Sequence, residues 1–130
     1  MQVRVASPRG YALSEVDVDR IAALGVAPEL LDRPEEAVAG VDVVYTDVWT
    51  SMGQEDEAAQ RRAAFEGYQV DGRLMEAAGP QARFLHCLPA HRGEEVSHEV
   101  LDGDRSRVWR QAENRMHAAR GAVAWILGQV

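Results

Sequence analysis

The segment FLHCLPAHRGEE, residues 84–95, contains several side chains that could do chemistry around the chain's only cysteine, Cys87. A zinc site is one interpretation, with potential ligands at His86, Cys87, His91 and His98. The spacing is poor for zinc, because adjacent residues point apart on a strand and no second close ligand pair follows. A nucleophilic Cys87 needs a base that approaches it in space, which adjacency along a strand hinders. The structural alternative is a small buried residue at a strand end.

The same segment also predicts a backbone binding device at Leu88-Pro89. An X-Pro bond is the one peptide bond that adopts the cis form with any frequency. A cis bond here would turn the chain sharply and direct the Cys87 and Leu88 carbonyls outward as acceptors. This interpretation predicts recognition of an amide or ammonium N–H group.

A second candidate site is DVWTSMG, residues 47–53, which follows a hydrophobic run. Asp47 stands at the end of the predicted strand, where a carboxylate can receive an ammonium group. Ser51, Met52 and Gly53 form a short segment before a helix, and the glycine permits a hinge. The alternative is an ordinary strand-to-helix connection with Ser51 as a turn former.

Two arginines are candidates for binding an anion, because the planar guanidinium matches carboxylate and phosphate. Arg115, in QAENRMHAARG, flanks the apolar stripe of the last predicted helix and could project into a cleft. Arg92 lies within the segment 84–95, five residues after Cys87. The alternative for each is an arginine whose stem lies along the core and whose head is in solvent.

Three strands are predicted, at residues 1–7, 40–49 and 82–88. The β-branched run at 40–49 predicts a strand buried on both faces, as in parallel sheets. Strands that alternate with helices predict an α/β fold with an open, doubly wound, Rossmann-like parallel sheet. Ligands bind beyond the carboxyl ends of such strands, which is where Asp47 and Cys87 fall.

The helices between these strands are predicted from caps, charge and periodicity. Ser14 is placed to cap a helix that ends at Gly25. Acidic residues first and arginines later favour a helix at 54–66. Further helices are expected near 34–39 and 71–78, and from Trp109 a long amphipathic helix has a predicted buried stripe of Ala112, Met116, Ala119, Val123 and Ile126.

Composition limits the classes of protein that the chain can represent. Its 130 residues suit one domain, and no run reaches the roughly 20 apolar residues of a membrane span. The formal net charge of −7 is unfavourable for nucleic acid or an anionic membrane. A single cysteine forms no internal disulfide, and the first residues lack the apolar core of a secretory signal, so we expect a cytoplasmic protein.

Taken together, three motifs resemble the ornithine carbamoyltransferases. They are DVWTSMG at 47–53, FLHCLPAHRGEEV at 84–96 and QAENRMHA at 111–118, in the order and approximate separations of that family. The intervening RRAAFEGYQVDGRLM and the early VASPRGY are also similar to it. The resemblance implies transfer of a carbamoyl group from carbamoyl phosphate to the side-chain amine of L-ornithine, giving L-citrulline and phosphate, as in arginine biosynthesis or its reverse.

By this resemblance, the residues after the second strand hold ornithine. Asp47, Ser51 and Met52 match the family's ornithine-binding residues, on a loop that closes over the substrate. The SMG segment favours ornithine over putrescine or an acylated ornithine, the substrates of sister carbamoyltransferases.

The resemblance also assigns the carbamoyl phosphate contacts. Cys87 and Leu88 match the pair that contacts the carbamoyl group and the attacking amine, and Arg115 matches an arginine that contacts carbamoyl phosphate. His86 and Pro89 complete the motif, and Arg92 is a supporting candidate. The family's reaction requires no metal or organic cofactor.

Two parts of the family pattern are missing from the chain. These are the amino-terminal carbamoyl-phosphate domain, with its Ser-Thr-Arg-Thr and His-Pro-x-Gln motifs, and the strand and turn that open the ornithine domain. We therefore expect residues 1–130 to be one incomplete ornithine-binding domain, inactive alone, of a parent enzyme that is a homotrimer. The alternative is a noncatalytic binding domain that kept the fold.

Overall fold

The computed structural model describes residues 1–129, in which short strands alternate with helices. This arrangement confirms the predicted α/β class. The strands are β1 (Arg4–Ala6), β2 (Glu29–Leu31), β3 (Val43–Thr46) and β4 (Arg83–His86). The helices are α1 (Glu15–Ala23), α2 (Pro34–Val38), α3 (Ala58–Ala64), α4 (Gly72–Ala78), α5 (His98–Leu101) and α6 (Val108–Ile126).

Local signals in the sequence account for several helix ends. Ser14 caps α1 as predicted, and its Oγ accepts a hydrogen bond from the Asp17 N–H at 3.1 Å. Gly25 follows α1 with a φ of 77°, a conformation in which glycine carries no steric penalty. At α4, Asp71 accepts from the Leu74 N–H at 2.8 Å. The helix expected at 54–66 is divided into a 3₁₀ turn, Glu55–Glu57, and α3.

The four strands form two parallel pairs, β1 with β2 and β3 with β4. The sequence does not predict β2, because its three residues, beginning with Glu29, carry little strand signal. The free edges of β1 and β3 line one groove of about 940 Å³. Within residues 1–129 the parallel strands are therefore separated into pairs by this groove, rather than joined in one continuous sheet.

The core lies between β4 and the helices α4 and α5. Phe84, Met75 and Leu101 are its largest fully buried apolar side chains, together with Val96 and Val108. The Arg105 guanidinium donates to the carbonyls of Met75 and Gly79, at 2.8 and 3.2 Å, at the carboxyl end of α4. The Arg105 carbonyl also accepts from the Phe84 N–H at 3.0 Å, so Arg105 links β4, whose carboxyl end is His86, to α4.

The prediction that the run at 40–49 is buried on both faces is wrong. Val44 is buried, whereas Val43 is 47% exposed and Tyr45 is 54% exposed. Alternate residues of a strand point to opposite faces, and only the Val44 face packs against the core cluster. The other face, which carries Tyr45, is left accessible.

The predicted buried stripe of α6 is also wrong, although the long helix itself is confirmed. Val108 is the buried residue of this helix among those described, while the stripe residues Met116, Val123 and Ile126 are more than half exposed. The reason is that α6 packs against β4 only near the amino-terminal end of the helix. Among the described residues, no element covers the apolar side chains farther along α6. None of the helices described is long and apolar enough to cross a membrane.

Candidate active site

The carboxyl ends of β3 and β4 bring the two sequence motifs together. These strands pair in register, with Thr46 opposite His86, so the residues that follow, Asp47 and Cys87, emerge side by side. The Cys87 thiol donates to Asp47 Oδ1, with the sulfur and the oxygen 2.9 Å apart. The other contact of Oδ1 is the Val48 N–H, at 2.7 Å.

Arg115 reaches the same place from α6. Its Nη1 donates to the Cys87 carbonyl at 2.8 Å. Arg115 also lines a shallow groove of about 440 Å³ together with Arg107 and Arg110, which gives this side of the site a positive lining. The three chain-distant residues Asp47, Cys87 and Arg115 therefore meet at one end of the strand pair, as the motifs predict.

The turn after β4 has the form expected from the sequence. The Leu88-Pro89 bond is cis. Leu88 has a φ of 59°, a left-handed conformation that is uncommon and strained for a non-glycine residue. Its N–H donates to His86 Nδ1 at 2.8 Å, which ties the turn to the end of the strand. This turn directs the Cys87 carbonyl to Arg115.

His86 and Glu95 form a buried support beneath the turn. Because His86 Nδ1 accepts from Leu88, the ring proton is on Nε2, which lies 3.3 Å from Glu95 Oε1. This is a close contact without the alignment of a good hydrogen bond. Glu95 is fully buried, and its Oε1 accepts a hydrogen bond from the His91 N–H.

Gln111 connects three elements at the site. Its Oε1 accepts from the His86 N–H at 3.1 Å, and its Nε2 donates to the Tyr45 hydroxyl at 3.2 Å. Gln111 lies one helical turn before Arg115, so the same face of α6 supplies both contacts. The amide therefore fixes the position of α6 against the ends of β3 and β4.

Burial raises the pKa of the Cys87 thiol, and the hydrogen bond and negative charge of Asp47 raise it further. The contact with Tyr45 acts in the opposite direction. A thiol with a raised pKa is protonated at neutral pH, and the thiolate is the nucleophilic form. The environment of Cys87 therefore favours a hydrogen-bond donor over a preformed nucleophile.

Three predicted residues lie outside this cluster of contacts. Ser51 and Met52 are exposed, Met52 to 97%, on the loop that follows β3. Their described contacts are local, with the Ser51 N–H bound to Gln54 Oε1. Arg92 makes a bidentate ion pair with Asp102 at 3.0 to 3.1 Å, which stabilises the loop after β4. Its guanidinium therefore does not contact Asp47.

Two groups of possible metal ligands are close in space. One is Asp47, His86 and Cys87, and the other is His91, Glu94 and Glu95, each with donor atoms within 4.8 Å of one another. In the first group, the possible ligand atoms Asp47 Oδ1, Cys87 Sγ and His86 Nδ1 already take part in hydrogen bonds within the protein. In the second, Glu94 pairs with Arg62 at 3.0 Å. We assign no metal to either group.

The sequence did not identify Tyr45, Glu95 and Gln111, which complete the site. The spacing gave a weak signal for two of them, since Tyr45 lies two residues before Asp47 on a strand and Gln111 lies four before Arg115 on a helix. Nothing in the sequence distinguishes Glu95, which is buried, from its partly exposed neighbour Glu94.

Fold and site together define a parallel α/β domain with a polar site at the carboxyl ends of its strands. Residues 1–126 match the model of the aspartate/ornithine carbamoyltransferase family, in its Asp/Orn binding domain. The chain belongs to this family and corresponds to that domain.

Individual relatives agree with this assignment. The chain is 49% identical over 129 residues to an ornithine carbamoyltransferase of Haloquadratum walsbyi, a match that covers 99% of this chain and 42% of the relative. It is 53% identical to one of Clavibacter michiganensis, covering 99% and 43%. The solved structure of the Pyrococcus furiosus enzyme is similar with a TM-score of 0.87 and 47% identity, covering 99% of this chain and 42% of that one. The chain thus spans less than half the length of the relatives it matches.

Proposed function

We propose that the chain supplies the ornithine-binding part of an ornithine carbamoyltransferase. The parent enzyme transfers the carbamoyl group of carbamoyl phosphate to the side-chain amine of L-ornithine, giving L-citrulline and phosphate in arginine metabolism. The observation that carries the proposal is the convergence of Asp47, Cys87 and Arg115 through contacts of 2.9 and 2.8 Å. The names of the relatives support the choice of reaction.

The proposed chemistry begins with the amine, whose reference pKa of about 10 means that it arrives as an ammonium group. Asp47 holds and orients this group, with the Cys87 thiol beside it. The ammonium group first loses one proton to a neighbouring base or to solvent. The neutral nitrogen then attacks the carbamoyl carbon, the bond from that carbon to the phosphate oxygen breaks, and phosphate leaves with the electron pair. The nitrogen gives up its second proton to the departing phosphate or to solvent.

Arg115 and the turn at 87–89 act on the other reactant. A guanidinium stabilises negative charge as it grows on the departing phosphate, and this lowers the transition state more than the ground state. In the described structure Arg115 donates to the Cys87 carbonyl. We propose that carbamoyl phosphate takes over part of this donor capacity and that freed carbonyls of the turn hold its NH₂ group.

The proposed roles of Ser51 and Met52 require movement of their loop. Both side chains are exposed and make no contact with Asp47 among the contacts described. Gly53 adopts a φ of 87°, which supplies a flexible point in the segment. We propose that the loop closes over ornithine when the substrate binds.

The proposed parent enzyme contains a carbamoyl-phosphate domain in addition to residues 1–130 and assembles as a homotrimer. The support for a larger enzyme is that the chain covers 42 to 43% of the relatives. The proposal includes a cytoplasmic location and a reaction without a metal or organic cofactor. The isolated chain is expected to be inactive, because it provides only one side of the site.

The test joins the chain to the remaining part of the Clavibacter michiganensis relative and measures product formation with ornithine, putrescine and acetylornithine side by side. We expect citrulline from ornithine, and a loss of at least about 100-fold in kcat/KM for Asp47→Asn. Asp19→Asn is the matched control, since Asp19 is exposed on α1. A preference for putrescine or acetylornithine contradicts the substrate. Citrulline made by the isolated chain contradicts its inactivity, and an inactive joined enzyme favours a noncatalytic domain.

A further inference from the structure

The loop of residues 50–56 is closed at its base by one side chain, Arg61 of α3. The Arg61 Nη1 donates to the carbonyl of Trp49, the residue directly before the loop, at 3.4 Å. Its Nε and Nη2 both contact Oε2 of Glu57, the residue directly after the loop, at 3.0 and 2.9 Å. One guanidinium therefore bridges the two residues that flank the loop.

Arg61 is more buried than an arginine in an ordinary surface ion pair. Its side chain is 17% exposed, whereas that of Arg62, which pairs with Glu94, is 55% exposed. The Arg61 guanidinium also lies over the ring of Tyr11, 5.2 Å from its centre, in a cation–π contact. A planar guanidinium held by a carboxylate, a carbonyl and a ring face has few other orientations, so it fixes the positions of its partners relative to α3.

The loop itself is tied mainly to its own residues. The Ser51 N–H donates to Gln54 Oε1 at 3.3 Å, and the Gly53 N–H donates to Glu55 Oε1 at 3.1 Å. Both bonds lie inside the loop, so they hold its local shape and do not attach it to the rest of the domain. A segment with this shape and a closed base is suited to move as one flap.

We propose that Arg61 is a positioning residue for ornithine, which acts by closing the base of the 50–56 loop between Trp49 and Glu57. The inference rests on the proposed function, in which this loop closes over the substrate. A loop with a closed base samples fewer conformations than one with a free base, so a larger fraction of molecules is competent to bind ornithine. Arg61 acts through the loop and does not contact the substrate.

The first measurement is hydrogen exchange of the loop amides in the isolated chain. Arg61→Met keeps an unbranched stem and removes the guanidinium, so the amides of residues 50–57 are expected to exchange at least about threefold faster. Arg62→Met is the matched control on the same helix, since its ion pair with Glu94 does not involve the loop, and no change in the loop is expected. A merely structural role for Arg61 would accelerate exchange in α4, which lies in the core, rather than in the loop.

The second measurement is steady-state kinetics of the joined enzyme. Arg61→Met is expected to raise the KM for ornithine at least about fivefold and to leave the KM for carbamoyl phosphate within about twofold, because the loop is proposed to act on ornithine. Arg61→Lys keeps the charge without the planar fork and is expected to recover the ornithine KM only in part. Glu57→Gln leaves the Trp49 contact in place and is expected to have a smaller effect in the same direction.

Unchanged loop exchange in Arg61→Met would overturn the inference, as would equal changes in Arg62→Met or equal increases in KM for both substrates. If Arg61→Met does not fold, Arg61→Lys and Glu57→Gln carry the same test with smaller expected changes. Because the exchange measurement contains no substrate, an inactive joined enzyme with the expected exchange contradicts the proposed function alone. An active joined enzyme with unchanged loop exchange and unchanged ornithine KM contradicts this inference alone.

Discussion

At the scale of single residues, the turn after β4 depends on a carboxylate that is fully buried beneath it. Glu95 is fully buried and accepts from the His91 N–H, while its Oε1 faces His86 Nε2 at 3.3 Å. Removing one partner from such a buried group leaves the others unsatisfied, which costs more than the contact itself contributes. The strained turn at Leu88 is thus held from below by His86, and His86 by Glu95.

Glu95→Met keeps the length of the side chain and removes its charge and acceptors. We expect a loss of about 2 to 4 kcal/mol in the free energy of unfolding, because the His91 N–H loses its acceptor and His86 Nε2 loses the carboxylate oxygen that lies 3.3 Å away. Urea denaturation of the isolated chain measures this. Glu94→Met is the control, since Glu94 makes a partly exposed ion pair with Arg62 that is worth less than about 1 kcal/mol. Equal losses in the two variants would contradict this role for Glu95.

At the scale of elements, α6 shows that a helical pattern does not by itself reveal which residues are buried. Val108 at its beginning is fully buried, and Val123 near its end is 56% exposed. The helix is anchored at the strand ends by Gln111 and Arg115, and the apolar residues beyond lie outside the described core.

A matched pair of substitutions tests this division of the helix. Val108→Ala removes two methyl groups from the core and is expected to reduce the free energy of unfolding by about 2 kcal/mol. Val123→Ala makes the same change on the exposed part and is expected to alter it by less than about 0.5 kcal/mol. Thermal or urea unfolding of the isolated chain compares them. A cost at Val123 as large as that at Val108 would show that the stripe is buried in solution.

At the scale of the whole molecule, a groove lies between the unpaired edges of β1 and β3. It is not lined by Asp47, Cys87 or Arg115, so we distinguish it from the candidate site. Each of these strands pairs on one side only, and unpaired backbone groups of a strand edge are readily completed by another strand. Two unpaired strand edges that face one apolar groove are typical of a surface that packs against further polypeptide.

We therefore expect the edges of β1 and β3 to be protected in the joined enzyme described above. Hydrogen exchange of their backbone amides should be at least about tenfold slower there than in the isolated chain, because further polypeptide covers the groove. The amides of α4 serve as the internal control, since this helix is already packed in the core. Equal exchange at the strand edges in both proteins would show that the groove stays open.

The sequence by itself determined the α/β class and the Ser14 cap, and it predicted a turn at Leu88-Pro89 and the candidate residues Asp47, Cys87 and Arg115. These depend on local chemistry, on the periodicity of apolar residues and on motif order, all of which are encoded over short stretches of chain. The position of a functional residue at the end of a strand is equally local, because the strand and the residue are neighbours in sequence.

Only the tertiary structure decided which of these residues meet and what supports them. The burial of Glu95 beside a more exposed Glu94, the bridge made by Gln111 and the pairing of Arg92 with Asp102 each join residues from different parts of the chain. The sequence likewise did not determine the exposure of Tyr45 and of most of α6. The periodicity of a strand or helix shows which residues lie on the same face, but not what packs against that face. Burial is a property of neighbours brought together by folding, and those neighbours are not adjacent in sequence.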